Sequence, residues 1–142
     1  MFGGSARIPA AGDRRVAEVL LDSDVIIEWL RGHEPFVQQV STLLDEHAAL
    51  FWTPVSVAEI YAGIRKGEEG VVADLFVLLE HVSVTLDVGK KAGHYLKAYS
   101  KSHSVELGDA LIAACAASAG LKLWTLNKKH YPMKEVDFYS PS

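Results

Sequence analysis

Residues 16–30 read VAEVLLDSDVIIEWL, and the change of pattern inside this stretch decides the fold. Residues 16–22 form a short apolar run that ends in an acid, which predicts a buried strand. From Asp24 to Leu30 the chain reads as a helix, closed by Arg31-Gly32. A strand that passes an acid straight to a helix start is the unit of a parallel α/β sheet. In such sheets ligands gather beyond the carboxyl ends of the strands.

The remaining chain repeats that unit. A helix is predicted over residues 34–47, where Phe36, Val40, Leu43 and Leu44 recur at helical spacing, followed by a brief strand over 49–52. Thr53-Pro54 opens a helix with proline at its first position and Val57, Ile60, Tyr61 and Ile64 on one face, ending at Gly67. Residues 71–79 read as helix, and the β-branched VSVTL over 82–86 reads as strand. Residues 87–102 carry the stripe Ala92, Tyr95, Leu96, Tyr99 of an amphipathic helix, with Lys90, His94, Lys97 and Lys101 off it. A small-residue helix over 109–119 is capped by Gly120, a strand follows over 121–125, and 136–139 suits a last edge strand. Alternating strands and helices predict an α/β fold of three layers, a parallel sheet covered on both faces.

Three carboxylates sit at strand–helix seams: Asp22, Glu59 in TPVSVAEIYAGI, and Asp109 in LGDALIAACAA. Each has a structural alternative. Asp22 or Asp24 suits a helix N-cap. Ser56 with Glu59 fits a capping box. Asp109 in a first helical turn is favoured by the helix dipole. Against these, no Lys or Arg lies within four residues of Asp22 or Asp109, and all three acids have strongly apolar neighbours. Clustered carboxylates repel, and a divalent cation is the usual remedy. Such a cation activates water for phosphoryl chemistry, so a metal-dependent nuclease is the first reading.

Composition is compatible with that reading. The chain has 142 residues, 49% hydrophobic content and a net charge of −4, enough for one domain with a real core. The balance is uneven: residues 88–134 carry eight lysines against Glu106 and Asp109, which suggests a basic rim beside an acidic pocket. The lone Cys115 lies in LIAACAA and excludes an internal disulfide; a buried thiol is expected there. No uncharged run of membrane-spanning length occurs, and residues 1–15 lack the apolar core of a secretory signal, so a flexible lead-in before a domain over 16–142 and a cytoplasmic location are expected. The six histidines show no HExxH or close pair; His130 alone is weighed as a metal or phosphate contact. Trp52, Trp124 and the tyrosines read as core before they read as base-stacking platforms; Trp29 and Tyr131 are the aromatic residues to test as nucleic-acid contacts.

Four motifs, in order, resemble the PIN-domain family, and within it the VapC-type ribonuclease toxins of toxin–antitoxin pairs. They are residues 21–27 (LDSDVII), 56–63 (SVAEIYAG), 106–114 (ELGDALIAA) and 123–127 (LWTLN). The resemblance spans about residues 18–139. It implies a parallel sheet of about five strands between helices and Mg²⁺ or Mn²⁺ held by Asp22, Glu59 and Asp109. Ser23 and Thr125 match polar positions near the metals. Where the family often has a fourth acid after Thr-x-Asn, this chain has Thr125, Asn127 and then His130, and Asp24 replaces a usual small polar residue. The implied activity is endonucleolytic RNA hydrolysis, restrained by a VapB-type antitoxin, in a homodimer or toxin–antitoxin hetero-oligomer. An antitoxin helix is expected to dock in a groove at residues 25–30, Phe36 and Val40.

Two rivals compete. A haloacid-dehalogenase-type phosphatase shares the Asp22-Ser23-Asp24 opening and Gly108-Asp109. It also wants an acid four residues on, where Ala113 stands, and a Thr/Ser motif before Gly-Asp, whereas Thr125 follows it. A catalytically degenerate PIN module that binds RNA or a partner is motivated by His130.

Overall fold

The structure, a computed structural model, describes residues 16–141. The expected lead-in over 1–15 lies outside the described residues. Four strands, β1 (Glu18–Leu21), β2 (Ala49–Trp52), β3 (Glu80–His81) and β4 (Lys122–Trp124), form one parallel sheet in the order β3-β2-β1-β4. The helices are α1 (Ser23–Leu30), α2 (Glu34–Asp45), α3 (Pro54–Gly63), α4 (Glu69–Val77), α5 (Leu86–His103) and α6 (Leu107–Ala119).

The sheet separates two cores. In β1 Leu20 faces one way, packing with Ala92, Tyr95, Ala113 and Leu123 beneath α5 and α6. Its neighbours Val19 and Leu21 face the other, packing with Val25, Ile26, Val40, Leu43 and Ile60. All three β1 residues are fully buried, as a central parallel strand covered on both faces requires. Cutting Leu20 to Ala would cost roughly 2–5 kcal/mol. The alanines of α6 let that helix lie close, and Cys115 among them is fully buried, its thiol pushed up to about 11 by desolvation. It is therefore a packing group, not a nucleophile. No helix among the described residues is long and apolar enough to cross a membrane.

Several expected boundaries move. The VSVTL segment is not a strand: β3 is only Glu80–His81, and Thr85 instead N-caps α5, its Oγ1 accepting the Val88 N–H at 3.2 Å. A cap hydrogen bond overrides β-branched preference there. The last edge strand reduces to one parallel bridge, Leu123 with Phe138, beyond β4. Helix α2 stops at Asp45 because His47 turns left-handed at φ 61°. Helix α3 stops at Gly63, where Ile64 becomes extended.

The chain runs outward from β1 through β2 to β3, then crosses back through α5 and α6 to place β4 on the other side of β1. That is the topological switch point, where the carboxyl ends of adjacent strands leave a crevice. Asp22 and Thr125 follow β1 and β4 at that edge.

Candidate active site

The crevice is built from its hydrogen bonds. The Asp22 N–H donates to the Trp124 carbonyl at 3.0 Å, closing the ladder between β1 and β4. Asp22 then caps α1, its Oδ1 accepting the Ser23 N–H at 2.8 Å. Its Oδ2 accepts the Thr125 hydroxyl and the Tyr131 hydroxyl, each at 2.8 Å. Burial, with the charge of Asp22 second, drives the Tyr131 phenol far above its usual range, so it stays a donor. Asp22 is 7% exposed, and its donors among the described residues are neutral.

Glu59 arrives from α3. The cap of that helix is Thr53, whose Oγ1 accepts the Ser56 N–H at 3.1 Å, so the capping box expected of Ser56 and Glu59 does not form. Released from that duty, Glu59 turns its Oε1 to the Ser23 hydroxyl at 3.0 Å. Its Oε2 lies against the start of α6, where a Cβ on Gly108 would stand 3.1 Å away. Glycine at 108 is what admits the carboxylate.

Asp109 caps a helix start and also faces the crevice. Glu106 and Asp109 form the true capping box of α6, Asp109 Oδ2 accepting the Glu106 N–H at 3.0 Å. The same oxygen lies 3.8 Å from His130 Nδ1. His130 ends a 3₁₀ turn over Lys128–His130 and occupies the place where the family's fourth acid was expected.

The acids share one field. Partial desolvation raises the Glu59 pKa, and Asp22, Asp109 and Glu106 add to it against the Ser23 hydrogen bond. Desolvation likewise raises Asp109, with Asp22 and Glu106 adding, opposed by the Glu106 amide and His130. Asp24 is pushed up to about 6 by burial first and by Asp22 second, although its Oδ2 accepts the Leu126 N–H at 3.1 Å. Among the described residues His130 is the sole basic side chain within 4 Å of any of them.

The donor set suits a hard divalent cation. Among the described residues no three acidic, cysteine or histidine groups form a ready-made cage. The fold nonetheless directs carboxylate oxygens to one crevice, and Asp24 Oδ1 is buried without a hydrogen-bond partner. Oxygen-only ligands, mutual repulsion and an orphaned buried oxygen are what a bound cation would satisfy.

The structure brings Asp22, Glu59, Asp109, Ser23, Asp24, Thr125 and His130 together at one crevice. Asn127 joins only through its backbone N–H, which donates to Thr125 Oγ1 at 3.1 Å; its side chain is exposed. Tyr131 is corrected: at 3% exposure it holds Asp22 and does not meet RNA. Trp29 is corrected too, since α1 turns it into the core, 9% exposed. The expected groove at residues 25–30 is filled for the same reason, with Val25, Ile26 and Val40 all buried. Glu106 was missed; its capping box with Asp109 was readable as two acids three residues apart at a helix start.

A model of the PIN domain matches residues 19–138. Ribonuclease VapC10 of Mycobacterium tuberculosis is 38% identical over 119 residues, covering 82% of this chain and 88% of that protein. Among solved structures, a chain of VapBC2 from Rickettsia felis, bound to a DNA fragment from its promoter, superposes with a TM-score of 0.73. It is 16% identical and covers 86% of this chain and 97% of that one. A chain of FitAcB from Neisseria gonorrhoeae gives 0.65 at 23% identity, covering 87% and 97%. At those identities the structures bear on the fold alone, whereas the family match and VapC10 bear on descent: the chain belongs to the PIN-domain family, alongside the VapC ribonucleases.

Proposed function

We propose that this chain is a divalent-cation-dependent endoribonuclease toxin, a single PIN-like domain over residues 16–142 that acts in the cytoplasm and is restrained by a VapB-type antitoxin. The observation that carries it is the convergence of Asp22, Glu59 and Asp109 beyond β1 and β4, with no lysine or arginine paired to them among the described residues. The likeness to VapC10, a ribonuclease, supports RNA as substrate. Family membership sets aside the phosphatase rival.

Asp22 and Asp109 would hold Mg²⁺ or Mn²⁺, with Glu59 completing the set and Asp24 nearby. When bound, the cation supplies a water activated near neutral pH and offsets charge on the phosphoryl oxygens. The chain's own part is positioning. Thr125 and Tyr131 fix Asp22, Ser23 orients Glu59 against Gly108, and the capping box orients Asp109. Because water and not the ribose attacks, products carry 5′ phosphate and 3′ hydroxyl. His130 favours one neighbouring reading, a site with weakened occupancy of a second cation.

The inhibitor's natural handle is the acidic crevice, which would accept an arginine as a surrogate cation. Two copies side by side would join their lysine-rich segments into one longer RNA track, so a homodimer or a hetero-oligomer with antitoxin is the proposed assembly.

Two outcomes are expected. Total cellular RNA incubated with the purified chain and Mn²⁺ yields discrete 5′-phosphate ends, lost on chelation and in Asp22→Ala. Persistence of cleavage in that variant contradicts the site, and absence of any cleavage favours the degenerate module. Tyr131→Phe removes one donor from Asp22, so Mn²⁺ affinity by calorimetry should fall about tenfold to a hundredfold with the fold retained. Unchanged affinity would mean Tyr131 is packing only.

A further inference from the structure

Next to the acids lies a second feature that RNA hydrolysis by itself does not use. A cavity of about 200 Å³ opens between the first turn of α2 and the segment after β4. Its walls include Phe36, Trp124, Leu126 and Tyr139, with Gln39 and Lys128 supplying polar groups. Phe36 and Trp124 stack at 6.0 Å between ring centroids, and Tyr139 tilts against Trp124 at 5.3 Å. Thr125 also lines it, and Thr125 is the residue whose hydroxyl holds Asp22. Leu126, half exposed at the rim, donates its N–H to Asp24. The cavity and the acidic crevice therefore share a wall.

We propose that this cavity is a nucleobase subsite that seats one base of the RNA next to the scissile phosphate, a proposal that rests on the ribonuclease reading above. Three properties fit a base. The walls are aromatic and aliphatic, the surface on which a planar ring stacks or lies flat. At one side the Gln39 amide and the Tyr139 hydroxyl, hydrogen-bonded to each other, form a polar edge that can exchange partners with the rim of a base. Lys128 sits at the wall, its ammonium 5.4 Å from the centre of the Phe138 ring, where it complements a backbone phosphate. An apolar side chain of a protein partner would use the walls but neither the polar edge nor the lysine.

The position also answers a need of the acidic crevice. Carboxylates and a cation recognise the phosphodiester but no base. A subsite that Thr125 itself helps to wall fixes which linkage enters, through the base it holds. Phe36 and Gln39 are thus specificity-determining residues for RNA, distinct from the groups at the reacting phosphate.

The test uses the full chain. The four nucleoside 5′-monophosphates are titrated against it by tryptophan fluorescence, with ribose 5-phosphate as the probe that lacks a base. At least one nucleotide should quench saturably while ribose 5-phosphate does not, and Phe36→Ala should weaken that binding on the order of tenfold. On RNA, Phe36→Ala and Gln39→Ala should raise KM with kcat within about twofold, and shift the base preference at mapped cut sites. Equal binding of ribose 5-phosphate would overturn the proposal in favour of a phosphate site. Unaltered KM and cut sites in both variants, with thermal melting showing them folded, would overturn it as well. Weakened antitoxin binding in Phe36→Ala with RNA kinetics untouched would assign the cavity to a protein side chain instead. Absence of RNA cleavage by the unaltered chain would remove the ribonuclease reading, whereas the nucleotide titration reads the subsite independently of it.

Discussion

Asp109→Asn should reduce RNA cleavage at least about a hundredfold, because removing one charged ligand forfeits several kcal/mol of stabilisation at the reacting phosphate. The same variant should fold as well as the unaltered chain or better. The Asn oxygen can still accept the Glu106 N–H, so the capping box need not open. What disappears is the cost of desolvating the charge, the main cause that holds the Asp109 pKa up, and with it the repulsion from Asp22 and Glu106. Cleavage assays paired with thermal melting in chelator separate the two effects. A variant that loses stability along with activity would make Asp109 a structural cap and remove it from the site.

The second large effect concerns Asp24 and pH. Its folded pKa of about 6 lies above the ordinary 3.8, so between those values the folded state holds a proton that the unfolded state has released. Stability of the metal-free chain therefore falls as pH rises through that window, and the loss is complete above about pH 6. Asp24→Asn keeps an acceptor for the Leu126 N–H and removes the charge. It should stabilise the metal-free chain by about 1–2 kcal/mol at pH 7.5, allowing for solvent screening. The gain should shrink toward zero at pH 4. Urea melts at the two pH values check this; a gain equal at both would show that charge is not the cause.

The fold was legible where sequence period and burial agree. Residues 16–30 announced the central strand and α1 because Val19, Leu20 and Leu21 are apolar on both faces and the acid behind them caps a helix. Legibility failed where a single hydrogen bond outweighs propensity: Thr85 turned VSVTL into a helix entry. Among site residues, Asp22, Glu59 and Asp109 could be named from their seams and from family resemblance. Which residue caps α3 could not, since Thr53 and Ser56 both suit a cap and only the backbone chooses. Tyr131 shows the remaining gap. Its contact with Asp22 spans 109 positions, and nothing local to Lys-Lys-His-Tyr signals it. Trp29 was misplaced because an eight-residue helix buried on one face gives too few turns for its buried side to be read.

The central claim is that these carboxylates exist to hold a divalent cation, and calorimetric titration of the purified chain with Mn²⁺ tests it most directly. Saturable binding is expected, with uptake of the cation accompanied by proton release as the raised acids ionise, so the measured heat depends on the buffer. Asp22→Asn and Asp109→Asn should each weaken that binding tenfold or more while melting as folded proteins. Equal Mn²⁺ affinity in the unaltered chain and both variants would contradict the account.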